Sequence, residues 1–169
     1  TSTITINAVN DAPVNTLPSS FTTNEDTSVK LTGMSVTDVD ASSGTITVTL
    51  AVTSGTITAS TAGSVTVGGS GTGTLTLTGT LANINSYLAS STTAPSYVPA
   101  ANANGTATLS MTTSDGGNTG TGGALTDTDT STITINAVND APVNTLPASF
   151  TTNEDTSVKL TGLSVTDVD

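Results

Sequence analysis

The chain has 169 residues and a formal net charge of −11, with two Lys and no His, Cys or Trp. So acidic a chain repels nucleic-acid phosphates and anionic lipid, which makes both poor partners, and neither is expected. The lack of Cys removes any disulfide framework, and the lack of His and Cys together argues against transition metals. No apolar run is long enough to span a membrane and no signal peptide is recognisable. The chain is therefore expected to be an internal piece of something larger, or to be made without its signals.

Apolar residues alternate with Thr and Ser in several stretches, the period of a half-buried strand. Taken in order, Ser28–Thr32 points Val29 and Leu31 one way. Thr45–Val52 does so with Ile46, Val48, Leu50 and Val52, and Thr74–Thr78 with Leu75 and Leu77. Thr suits the outward positions because its β-branch packs on a pleated surface. In Thr80–Ala89 the period changes: Leu81, Ile84, Asn85 and Leu88 share a helical face, and Thr80 can cap the start. This predicts one short helix crossing between sheets, a loop being the alternative. Thr106–Thr112 returns to alternation with Ala107, Leu109 and Met111, and Thr132–Asn136 with Ile133 and Ile135. Gly-rich turns at Ser54–Gly55, Gly68–Gly73 and Asp115–Gly123 separate the runs. The composition also resembles low complexity, but acidic disordered chains lack such alternation. The expected fold is all-β, a sandwich of immunoglobulin or cadherin type with one short helix.

Thr130–Asp169 repeats Thr1–Asp40 except for Ala148 in place of Ser19 and Leu163 in place of Met34. The offset, about 129 residues, suits a domain with its own core. The expected organisation is a tandem repeat: 1–10 as the last strand of a preceding unit, 11–139 as a complete one, and 140–169 as the opening strands of the next.

All thirteen acids fall in short motifs. These are Asn10–Asp11–Ala12–Pro13 with its copy Asn139–Asp140–Ala141–Pro142, and Asn24–Glu25–Asp26 with Asn153–Glu154–Asp155. Asp38–Val39–Asp40 is copied as Asp167–Val168–Asp169, and a fourth group joins Asp115 to Asp127 and Asp129. No charged residue lies between Asp40 and Asp115. Acids that merely solvate a surface are spread along it; these gather at turns and strand ends. A hard dication with six to eight oxygen ligands fits the pattern. Two Asp in D-x-D, if extended, project to one side, where a cation removes their repulsion. Ca²⁺ is the expected cofactor, with Asp26, Asp115, Asp127, Asp129 and Asp155 among the candidate ligands. The competing reading is that some acids cap turns, Asp26 foremost.

The series NAVNDAP, NEDT, SVTDVDA, NGTATLSMTTSDGG and ALTDTDTSTITINAVNDAP resembles the cadherin-like and immunoglobulin-like tandem repeats of giant bacterial RTX adhesins. The resemblance covers the whole period. It implies a structural extender module on a type I-secreted Gram-negative surface protein, with calcium at the junctions between units. Asn10–Asp11–Ala12–Pro13 also resembles the linker of animal cadherins, in which the linker, a Glu of the preceding module and a D-x-D of the following one share ions. Carried over, Asn10, Asp11, Glu25, Asp38 and Asp40 would be ligands, as would Asn139, Asp140, Glu154, Asp167 and Asp169. The linker is shorter than the cadherin form and lacks its first Asp, which leaves the number of ions open.

A glycan- or surface-binding module is the competing function. Sugar sites favour aromatic platforms, and the chain has only Phe21, Phe150, Tyr87 and Tyr97. The two Phe precede equivalent N-E-D motifs and are expected in the core; a buried Tyr97 favours the spacer. An enzyme is not expected, because carboxylates gathered on one ion are ligands rather than proton donors. The duplicated ends are unpaired edges, so head-to-tail exchange between chains is a further expectation.

Overall fold

Alternation of Thr with Ile, Val and Leu builds the longest strands. A computed structural model describes residues 1–169 as mostly β with one short helix. The opening stretch forms β1 (Val14–Thr16), β2 (Ser20–Asn24), β3 (Val29–Lys30) and β4 (Ser35–Thr37). Then come β5 (Thr45–Val52), β6 (Thr56–Thr58), β7 (Thr66–Gly68) and β8 (Thr74–Thr80), followed by α1 (Leu81–Ala89). β9 (Ser96–Val98), β10 (Gly105–Ser114) and β11 (Thr126–Asn136) complete the body, and β12 (Val143–Thr145) and β13 (Ser164–Thr166) lie in the second copy.

The largest sheet has six strands in the order β2-β11-β10-β5-β8-β7. Its pairs are antiparallel except β2 with β11, which runs parallel from Ser20↔Thr132 to Asn24↔Asn136. A three-stranded antiparallel sheet, β3-β9-β6, and the pair β1-β4 make up the rest of the body. On the large sheet the inward side chains are Ile46, Val48, Leu50, Leu75, Leu77, Leu109, Met111 and Ile133, all buried. Ile57 and Tyr97 come to the same core from the smaller sheet, Leu31 from just beyond β3, and Ile84, Tyr87 and Leu88 from the helix. Each such side chain contributes about 1.5–3 kcal/mol on burial. With no Cys in the chain, this shared core carries the stability that disulfides supply elsewhere.

The helix is present and joins the two sheets, since β8 belongs to the large one and β9 to the small. The Thr80 hydroxyl accepts from the Asn83 N–H, capping the first turn. Asn85 explains why a polar residue shares the apolar face. Its Oδ1 accepts from the Val36 N–H at 2.9 Å and its Nδ2 donates to the Val36 carbonyl at 2.8 Å. The side-chain amide thereby satisfies both backbone groups of a β4 residue.

The second copy keeps the local shape of the first. β12 pairs with β13 in the register of β1 with β4, Val143↔Thr166 matching Val14↔Thr37. Asp155 and Asp26 share a left-handed φ of 56°. The Thr152 hydroxyl donates to the Thr156 carbonyl at 2.8 Å, as Thr23 does to Thr27 at 2.7 Å. The counterparts of β2 and β3 do not form, because no strand lies beside them as β11 and β9 lie beside the originals. Phe150, expected in the core, is exposed for that reason, whereas Phe21 is buried. Likewise Ile4 and Ile6 are exposed, while the same residues in β11, Ile133 and Ile135, are buried.

Candidate functional site

The parallel pairing of β2 with β11 sends Glu25 to one pole of the body, beside Asn136. β10 ends at the other pole, where Asp115 follows Ser114. The acid motifs therefore separate into two clusters, with Asp127 and Asp129 between them on β11.

At the pole where β10 ends, Asn10 bonds to Asp115, and Asp11 bonds to Asp40 beside Asp38. The expected extended D-x-D does not hold for Asp38 and Asp40. Asp38 Oδ1 accepts from the N–H groups of Asp40 at 3.1 Å and Ala41 at 2.9 Å, closing a turn instead. Asp40 Oδ2 accepts from the Asp11 N–H at 3.0 Å, and the Thr119 hydroxyl donates to the Asp40 carbonyl. Asp38 Oδ2 and Asp40 Oδ1 are buried without a hydrogen-bond partner. Burial pushes the Asp38 carboxyl above its ordinary value, and the neighbouring Asp40 carboxyl adds to this against the opposing backbone N–H groups.

Asp115 is different. Its Oδ1 accepts from Gly117 N–H and Leu125 N–H, both at 2.8 Å, and its Oδ2 from Asn10 Nδ2 at 2.5 Å. Burial pushes this carboxyl up, but the three donors outweigh it and hold it below its ordinary value. Asn10 also donates to the Gly123 carbonyl at 2.9 Å, and its N–H to the Thr121 carbonyl at 2.9 Å. Residues 8–10 thus dock directly on the 115–123 loop. Gly120 permits the approach, since a Cβ there would lie 2.6 Å from Asn10 N and from Val9 C.

At the second pole Glu25 is buried, and its Oε1 accepts from the Val138 N–H at 2.5 Å. Asp26 Oδ1 accepts from the Asn102 N–H at 3.1 Å, in the turn before β10. The Asp140 N–H donates to Asp169 Oδ2 at 3.2 Å, repeating Asp11 with Asp40. Partial burial, then the charges of Asp26, Glu25, Asp169 and Asp167, push the Asp140 carboxyl up. Carboxylates from both sides of the linker therefore act on it. Asn139 turns its amide to the Asp140 carbonyl at 2.9 Å. Glu154 and Asp155 stand in the second copy where Glu25 and Asp26 stand in the first, the stretch that lies away from Asp11.

Asp127 is occupied in the fold. Its Oδ2 accepts from the Asn15 N–H at 2.7 Å, and Asn15 Nδ2 donates to the carbonyls of Asp127 at 3.0 Å and Met111 at 3.2 Å. Thr113 closes the network by donating to Asn15 Oδ1 at 2.5 Å. Asp129 is half-buried on the same side of β11. Asn15, Thr113 and Thr119 carry no motif that marks these roles, and Asn15 is flanked by the β-branched Val14 and Thr16.

No three acidic side chains converge closely enough to enclose an ion by themselves. Neither does Lys neutralise the clusters: Lys30 Nζ donates to the carbonyls of Thr92 and Ala94. Asp38 Oδ2 and Asp40 Oδ1, buried without a partner, are hard oxygen donors of the kind that suits Ca²⁺. The acids also lie away from the surface concavities, whose linings hold no Asp or Glu. No protein-family model matches the sequence, and no curated protein matches it.

Proposed function

We propose that the chain is a calcium-stiffened structural repeat of a bacterial cell-surface adhesin, an extender that carries a distal binding domain away from the cell. In this reading 11–139 is one immunoglobulin- or cadherin-like sandwich, and 1–10 and 140–169 belong to its neighbours in the array. The observation that carries it is the turn beside the linker, where Asp40 Oδ2 accepts from the Asp11 N–H and Asp38 Oδ2 and Asp40 Oδ1 are buried without a partner. A cation shared with the linker would satisfy these carboxylate oxygens and relieve their repulsion. The second copy repeats the linker contact, the Asp140 N–H donating to Asp169 Oδ2. Burial of Tyr97 and Tyr87 favours the spacer over a sugar-binding surface.

Calcium titration of the 169-residue chain, followed by X-ray scattering and by melting, tests this. Extracellular calcium sites bind at about 10⁻⁴–10⁻³ M. Millimolar calcium is expected to raise the melting temperature and lengthen the particle. An EDTA-treated protein with the same melting temperature and scattering curve refutes the proposal.

A further inference from the structure

We infer that the tripeptide Ala-Val-Asn between units is a two-sided joint, gripped by the 115–123 loop of the unit after it and by Glu25 of the unit before it. This rests on the repeat organisation proposed above, and adds to the shared cation a joint made by the chain's own hydrogen bonds. The tripeptide occurs twice, as Ala8–Val9–Asn10 and as Ala137–Val138–Asn139. Each copy displays one side of the joint.

Residues 8–10 display the side that meets the following unit. Val9 forms a parallel bridge with Thr121. The Thr121 N–H donates to the Ala8 carbonyl at 3.1 Å, and the Asn10 N–H to the Thr121 carbonyl at 2.9 Å. The Asn10 side chain, 6% exposed, adds its bonds to Asp115 and the Gly123 carbonyl. Residues 137–139 display the side that meets the preceding unit. The Glu25 N–H donates to the Asn136 carbonyl at 2.9 Å, and Glu25 Oε1 accepts from the Val138 N–H. Asn139 is exposed, and its amide turns to the adjacent Asp140 carbonyl.

The two sets of bonds use different atoms. A parallel bridge takes the groups that flank its central residue and turns that residue's own N–H to the opposite edge. The loop accordingly takes the carbonyl of the first residue and the N–H of the third. Glu25 takes the N–H of the second. Neither set displaces the other, so one tripeptide holds both at once. Such a joint sets the register in which successive units meet, and a cation among the neighbouring acids then stiffens it.

The test is amide exchange, in calcium and in EDTA, on two chains. One is the 169-residue chain. The other is the same chain extended after Asp169 by a further copy of residues 41–139, which completes the second unit. In the first, Val138 is expected to be protected and Asn139 to exchange freely. In the second, Asn139 is expected to slow more than about tenfold in both conditions, with Val138 as protected as before. Gly120→Val in the added copy should return Asn139 to free exchange while β5 and β10 keep their protection. The inference is overturned if Asn139 exchanges equally fast in both chains, if it slows only as Val138 is released, or if Gly120→Val leaves it protected. Protection of Asn139 that vanishes in EDTA overturns it too, since the cation alone then makes the joint. Protection that is equal with and without calcium, in a chain whose melting ignores calcium, upholds the joint and refutes the calcium reading.

Discussion

Asp115 and Asp140 are the same residue type in opposite settings. Asp115 is held by N–H donors, whereas partial burial and the charges of other carboxylates push Asp140 up. Because its folded pKa is lowered, Asp115 contributes stability that is present above the ordinary Asp value. That contribution is lost as pH falls through the lowered one. Asp115→Ala strands the Asn10 amide and two N–H groups, and is expected to cost about 1–3 kcal/mol in urea unfolding at pH 7. The deficit relative to the parent should shrink in acid below the lowered pKa. For Asp140 the sign reverses: its folded pKa is raised, so stability falls as pH rises from the ordinary value through the raised one. Asp140→Asn is therefore expected to raise the melting temperature of the calcium-free protein at neutral pH while reducing its response to calcium. Clustering of the acids was legible from their motif spacing. Which acids the fold had already claimed was not, because Asp127 takes its N–H from the distant Asn15 and Asp115 one of its three donors from the distant Asn10.

The two copies of the opening segment form an internal control at the scale of elements. Leu31→Ala is expected to cost about 2–5 kcal/mol, since it empties a site in the core. Leu160→Ala, the same change at an uncovered position outside any strand, should fall within about 0.5 kcal/mol in dilute solution. Paired urea titrations of the two variants check this. Equal losses would mean that the copies are covered alike. β5, β8 and β10 were legible because Thr alternates with aliphatic residues over their length. The three-residue strands β1, β4, β6, β7 and β9 are too short to show a period, and long-range partners place them. The parallel pairing of β2 with β11 left no local trace either, because it joins residues far apart in the sequence.

At the scale of the whole molecule, the contacts of Asn10 with the 115–123 loop give the linker a hold that owes nothing to a cation. Gly120→Val places a side chain where Val9 and Asn10 approach the loop, and strains a φ of 87°. It is expected to free residues 1–10 with little loss in the core, read as faster amide exchange at Asn10 and Thr121 against unchanged exchange in β5 and β10. The parallel pairing has a mechanical consequence as well. A chain drawn out from its two ends pulls β2 toward one pole and β11 toward the other. The bonds between Ser20–Asn24 and Thr132–Asn136 lie across that line of tension. Evenly spaced, they are loaded in shear and resist together rather than opening one after another like a zip.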